Sequence, residues 1–244
     1  MSFPYKPGSL IVKIAYQILL KEDSTYAYEI EINSDTCLQE SSRSRQAPDW
    51  AELGFQQCPN CTLKVSEVKH CPVALNLANV VEDCEDLISH SHVQLTVTMP
   101  QRSVIATTTA QKALSSLIGL IMATSDCPHT RFFRPMAQFH VPLANQEEAI
   151  FRAISSYFVM QYFSNQSHEK EVDFSELIRI YEDMQIVNQY LAKRIQPHSR
   201  GDAPANAVVS LHLLSCILPL SLDESLEKLR KMFNPSLNVT DNSP

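Results

Sequence analysis

The segment Cys58-Pro59-Asn60-Cys61 sets two thiols around a proline at the spacing of a metal knuckle. Two thiolates so placed grip one ion from a tight turn whose backbone N–H groups face the sulfurs, a form common in zinc ribbons. Cys71 follows a short stretch later, and Cys127, far along the chain, again precedes a proline. Four thiolates complete a closed tetrahedral shell, so Cys58, Cys61, Cys71 and Cys127 are the candidate ligands. His70 and His129 are possible substitutes, because imidazole also binds zinc well. Zinc is the expected ion. An iron–sulfur cluster is the alternative, since Cys-Pro pairs also accompany cluster ligands. A four-thiolate zinc has no open position for water, so it would staple the fold rather than catalyse.

A second chemistry is open to the same residues. Pro72 suits the first position of a helix, which makes Cys71 its N-cap, where the helix dipole favours a thiolate. Cys58 and Cys61 would then cycle as a redox pair, although no helix is expected directly after Cys61. The plainest reading is that the thiols are reduced core residues. It fits Cys84 and Cys216, which fall on apolar helix stripes, while Cys37 sits in a polar loop.

Beside Cys127 lie His129, Arg131, Arg134 and His140. Arg131, Arg134 and His140 form a weak candidate site for a carboxylate or phosphate. Pairing of the two arginines with acidic neighbours is the simpler account. Glu176, Glu182 and Asp183 read as the solvated face of a helix. Ser115-Ser116 has no histidine nearby in sequence and no nucleophile-elbow glycines. With four glycines in the chain, phosphate-cradling loops are not expected.

The elements that must position these groups follow from hydrophobic period. Residues 9–20 and 25–33 are β-rich and flank a polar turn, which predicts a hairpin. Residues 92–99 and 104–108 predict a second, turning at Pro100-Gln101-Arg102. Between them Val73, Leu77, Val80, Val81, Cys84 and Leu87 mark a helix opening at Pro72. Thr109 caps a buried helix through Ile121, and 125–144 reads as a long loop. Asn145 with Glu148, and Asp173 with Glu176, are capping-box pairs. They open helices to about Phe163 and Ile195. After a linker from Pro197 to Pro204, helices are expected near 205–217 and 222–233, then a disordered tail over 235–244. The fold class is therefore α+β. An antiparallel sheet from two β-hairpins packs against helices, with a sheet-rich part over about 1–144 and a mainly helical part over about 145–234, in one domain.

The charge of 20 − 27 = −7 gives no basic stripe for nucleic acid. No secretory leader is expected, and the longest apolar stretch, Ala113 to Thr124, falls short of a membrane span. A cytoplasmic protein with reduced thiols is the expectation. Its expected partners are an unidentified protein or a small anionic ligand, with neither nucleic acid nor membrane.

Three stretches together resemble a family of bacterial proteins of unknown function. They are Cys58-Pro59-Asn60-Cys61, His70-Cys71-Pro72-Val73-Ala74-Leu75-Asn76-Leu77, and the run from Ser116 through Cys127-Pro128 to Pro135-Met136-Ala137-Gln138-Phe139-His140. The likeness implies a bacterial source and one integrated unit from about Trp50 onward. It implies a glycine where this chain has Asp126, and it supplies no activity.

Overall fold

The computed structural model describes residues 10–20, 24–40, 46–164 and 172–237. The first strand, β1 (Ile11–Leu20), pairs antiparallel with β2 (Thr25–Asn33), and β3 (His92–Met99) pairs with β4 (Arg102–Thr109). The hairpins join where β1 pairs antiparallel with β3, giving the order β2-β1-β3-β4. Alternation turns Ile14, Tyr16 and Ile18 of β1 inward with Val93, Leu95 and Val97 of β3. Lys13 faces solvent, paired with Glu29 and Glu31 of β2. An antiparallel sheet with one wet face is the expected consequence. The polar turn at 21–23 and the serine–arginine run at 41–45 lie outside the described residues.

Helices α1 (Pro72–Asp83) and α2 (Ala110–Ala123) cover the inner face of the sheet. Cys71 is the N-cap of α1 with Pro72 following it, as the sequence predicts, though its thiol makes no capping bond. Thr109 caps α2 by accepting from the Lys112 N–H. The expected loop over 125–144 is instead largely folded. A 3-10 turn runs over Pro128–Phe133, and α3 over Arg134–Gln138. Prolines at the starts of both pieces preset the helical φ.

Next comes α4 (Gln146–Ser164), opened by a reciprocal capping box. The Asn145 side chain accepts from the Glu148 N–H at 2.9 Å, and Glu148 accepts from the Asn145 N–H at 2.8 Å. The matching expectation at Asp173 is corrected. Helix α5 (Ser175–Ile195) has Phe174 at its N-cap, and Asp173 accepts from Ser175 N. Glu176 turns aside to Gln161, so the box does not close.

The two expected C-terminal helices are one, α6 (Ala203–Leu237), which also takes the first residues of the expected tail into helix. Pro219 lies within this helix, at the gap between the two expected ones, and cannot donate to the carbonyl of residue 215. That carbonyl accepts instead from the Gln185 side chain of α5 at 3.2 Å, so the helix passes through. By length and composition α6 is also apolar enough to cross a membrane, contrary to the expectation that no segment would be.

The linker at 197–204 holds a latch. Arg200 pairs with Asp86 and Glu85, Gly201 N–H donates to the Glu85 carbonyl, and Asp202 accepts from the Ser89 N–H and hydroxyl. A Cβ at Gly201 would lie 2.3 Å from the Leu87 carbonyl oxygen, so this close approach requires glycine.

Two hydrophobic clusters result, and α5 serves both. Its N-terminal Leu177 and Tyr181 pack with Ile154 and Tyr157 of α4 and Leu218 and Leu222 of α6. Its C-terminal Met184, Val187, Leu191 and Ile195 join the sheet-side core.

A candidate metal centre of four cysteines

Two short legs frame the first three cysteines. Leu53 N–H donates to the Lys69 carbonyl and Cys71 N–H to the Ala51 carbonyl, with Glu52 bridged to His70. The legs hold Cys71 beside the knuckle that grows from them. The knuckle closes as a tight turn, Cys61 N–H to the Cys58 carbonyl at 3.0 Å. Cys127 arrives from the far end of α2, at the start of the 3-10 turn. The backbone N–H groups of His129 and Thr130 are near enough to favour its thiolate, and the Thr130 N–H donates to the Cys127 carbonyl at 3.2 Å.

All four thiols line one cavity with Leu53, Leu63, Val73, Val187, Leu191, His129 and Arg194. Its open space is about 20 Å³, room for a single water-sized sphere. Burial pushes the Cys58 thiol up to about 12, with Cys71, Cys127 and Cys61 adding to the rise and Arg194 opposing it. Burial likewise raises Cys127 to about 11, opposed by the two N–H groups and reinforced by Cys71 and Cys61. Cys58 and Cys127 therefore resist ionisation chiefly through burial and further through neighbouring sulfurs, and a divalent cation beside them would oppose both effects. As placed, the thiols line the cavity without closing on a common centre. Among the described residues no three His, Cys, Asp or Glu side chains stand in a coordinating group.

The two histidines separate. His129 lines the cavity, but its Nε2 donates to the Asn60 carbonyl at 2.7 Å and its Nδ1 lies 3.5 Å from the Asp183 carboxylate. Asn60 also donates its side-chain amide to Asp183 Oδ1 at 3.0 Å. With Nε2 bonded to the Asn60 carbonyl and Nδ1 facing Asp183, His129 holds the knuckle. Asp183, which periodicity places on a solvated helix face, is the anchor of that contact. His70 faces a separate cleft of about 300 Å³ with Lys69, Gln39, Asn76 and Asp126.

Arg131, Arg134 and His140 line neither cavity. Arg131 is exposed, and Arg134 donates to the Asp126 carboxylate at 3.0 Å. Asp126, where glycine was expected, needs no left-handed backbone. His140 is buried, with Nε2 2.5 Å from the Tyr16 hydroxyl, which lies 2.9 Å from Ser116 Oγ. Desolvation, then Arg152 and Arg102, pull its pKa down to about 3. Ser116 thus meets a histidine in space through Tyr16, in a network that pins residues 140–143 to β1 and α2.

The remaining cysteines stand apart. Cys84 is buried beside the Tyr28 hydroxyl, Cys216 is half-buried near His212, and Cys37 occupies a turn at φ 56°.

Sequence reasoning missed Arg194, which is 1% exposed and lines the cysteine cavity. Its signal was present. On α5 the apolar stripe runs Val187, Leu191, Ile195, and residue 194 falls on its buried edge, where a charged side chain demands a reason.

With the geometry in place, the comparison with known families is informative. The pattern of a domain of unknown function, DUF6901, matches residues 14–234. The chain belongs to the DUF6901 family. The match spans both hydrophobic clusters and all four cavity cysteines. None of the curated proteins and none of the solved structures matches the chain.

Proposed function

We propose that the protein is a metal-stapled interaction module, with zinc held by Cys58, Cys61, Cys71 and Cys127. The observation that carries this reading is that four cysteines from three separated segments line one small cavity. Such a centre ties the knuckle, the start of α1 and the end of α2 together, and its binding energy is folding energy. An iron–sulfur cluster would use the same sulfurs and stays the alternative occupant.

Support for the interaction role comes from the other cluster. Helix α4 leaves Phe158, Val159, Tyr162 and Phe163 exposed, and α6 leaves Leu213 and Leu220 exposed, the last at 87%. Apolar side chains in such number on two helices suit a protein partner. The enzyme reading is weaker. Cys58 and Cys127 are raised rather than activated, and Arg134 already has a carboxylate partner. Seven free thiols suit a reducing compartment, so we place the protein in the cytoplasm.

The test is elemental analysis with a visible spectrum on protein purified without air or chelator. About one zinc per chain and a colourless solution is expected. Iron with a brown colour would replace zinc by a cluster, and absence of any metal after loading would overturn the centre.

A further inference from the structure

We propose that Arg194 is the counter-cation of this centre, and that what the cavity holds is an anionic thiolate complex of a divalent metal. The inference rests on the four-thiol reading and adds the sign of its charge. Arg194 is the largest fully buried side chain of the described residues. Its Nη1 donates to the carbonyls of Trp50 at 2.8 Å and Glu52 at 2.7 Å, and its Nη2 to Leu53 at 2.9 Å. These are neutral acceptors. Among the described residues no carboxylate stands within ion-pairing distance, and the Nε–H, also buried, has no partner.

A guanidinium stays charged in any protein, and a buried charge without a counter-charge is strongly unfavourable. Carbonyl dipoles orient the group but do not neutralise it. The cavity it lines is otherwise walled by apolar side chains such as Leu53, Val187 and Leu191, by the His129 ring and by the thiols, and none of these is a carboxylate. Four thiolates around a divalent ion carry two net negative charges. One guanidinium at the wall leaves one, in a site too small for a hydrated counter-ion. Each charge then supplies the reason the other is buried. The carbonyl clamp also fixes the geometry, because the three acceptors belong to the leg that leads into the knuckle. Arg194 is thus a positioning residue as well as a charge.

A purely structural strut makes a different prediction, and two variants separate them. Zinc affinity is measured by competition with a chromophoric chelator on full-length wild type, Arg194→Lys and Arg194→Gln, alongside apo-protein stability in urea. Lys keeps the charge and loses the fork, whereas Gln keeps a donor and loses the charge. The expected result is that Lys lowers stability yet holds zinc within about tenfold of wild type, while Gln loses roughly 100-fold, the scale of outer-shell partners. Equal losses in the two variants, or wild-type affinity in Gln, would overturn the proposal. If Gln does not fold, Lys decides it, since a strut requires its affinity to fall by about 100-fold with the lost clamp. Wild-type protein that takes up no zinc would instead sink the four-thiol reading itself.

Discussion

His129 Nε2 lies 2.7 Å from the Asn60 carbonyl oxygen, so the loop that carries Cys127 is hydrogen-bonded to the knuckle that carries Cys58 and Cys61. The two halves of the candidate centre touch through protein groups, independently of any ion. Asp183 on α5 holds both partners from behind.

This contact gives a kinetic prediction. His129→Phe removes the bridge but no sulfur, so the protein should still fold and bind zinc. Release of zinc to excess chelator should speed up by about 10–100-fold, as for other residues that orient ligands. Unchanged release would mean that the bridge does not support the centre.

Removal of a sulfur should act more severely. Cys58→Ser and Cys127→Ser are expected to lose bound zinc and to lower the unfolding midpoint. Cys37→Ser, in a turn away from the cavity, should do neither. Full metal occupancy in Cys58→Ser would show that the ligands have been misassigned.

The buried His140 sets a pH dependence. Its folded-state pKa is pulled down to about 3 from the ordinary 6.5, so it is neutral when folded and protonates on unfolding in acid. Its contribution is present above about pH 6.5 and is lost as pH falls toward 3. The slope for one proton is about 1.4 kcal/mol per pH unit. Between about pH 7 and pH 5, wild type should lose about 2 kcal/mol more than His140→Gln. Urea unfolding of both at the two pH values tests this. Parallel losses would show that the imidazole is not the group responsible.

The proline inside α6 predicts a coupled pair. Gln185→Ala leaves the Ser215 carbonyl, freed by Pro219, without a donor, at a cost of about 1–3 kcal/mol. In a Pro219→Ala background the helix supplies its own N–H, so the same change should cost little. A double-mutant cycle reads the difference, and additive losses would remove Gln185 from this role.

At Gly201 even one methyl group is too many. Gly201→Ala should destabilise the protein by several kcal/mol, because the atom it meets is backbone rather than a yielding side chain. Thermal unfolding within a degree or two of wild type would contradict the close approach.

Much of this was legible in the sequence, and the reasons differ by element. Alternation in 25–33 and 92–99 gave both hairpins, since a sheet with one wet face writes its pleat into the chain. Asn145 and Glu148 announced a cap because both bonds are local. Asp173 and Glu176 carry the same local signature, but Gln161 on α4 competes for the glutamate, and a single sequence window does not contain it. The gap expected between 217 and 222 is closed in a similar way, because the donor that Pro219 lacks comes from α5. Spacing and proline singled out the four cysteines that line one cavity. Arg194, Asp183 and the His129 contact were not, because their meaning depends on a helix more than a hundred residues from the knuckle.

The same separation bears on how the protein matures. Cys58, Cys61 and Cys71 are close along the chain and able to meet early during synthesis. Cys127 follows only after β3, β4 and α2, and Arg194 only after most of the chain has emerged. Contacts this distant form late, because a large loop must close first. A nascent chain would therefore expose three thiols before the fourth sulfur and the guanidinium can enclose them. For that interval those three thiols would be open to oxidation.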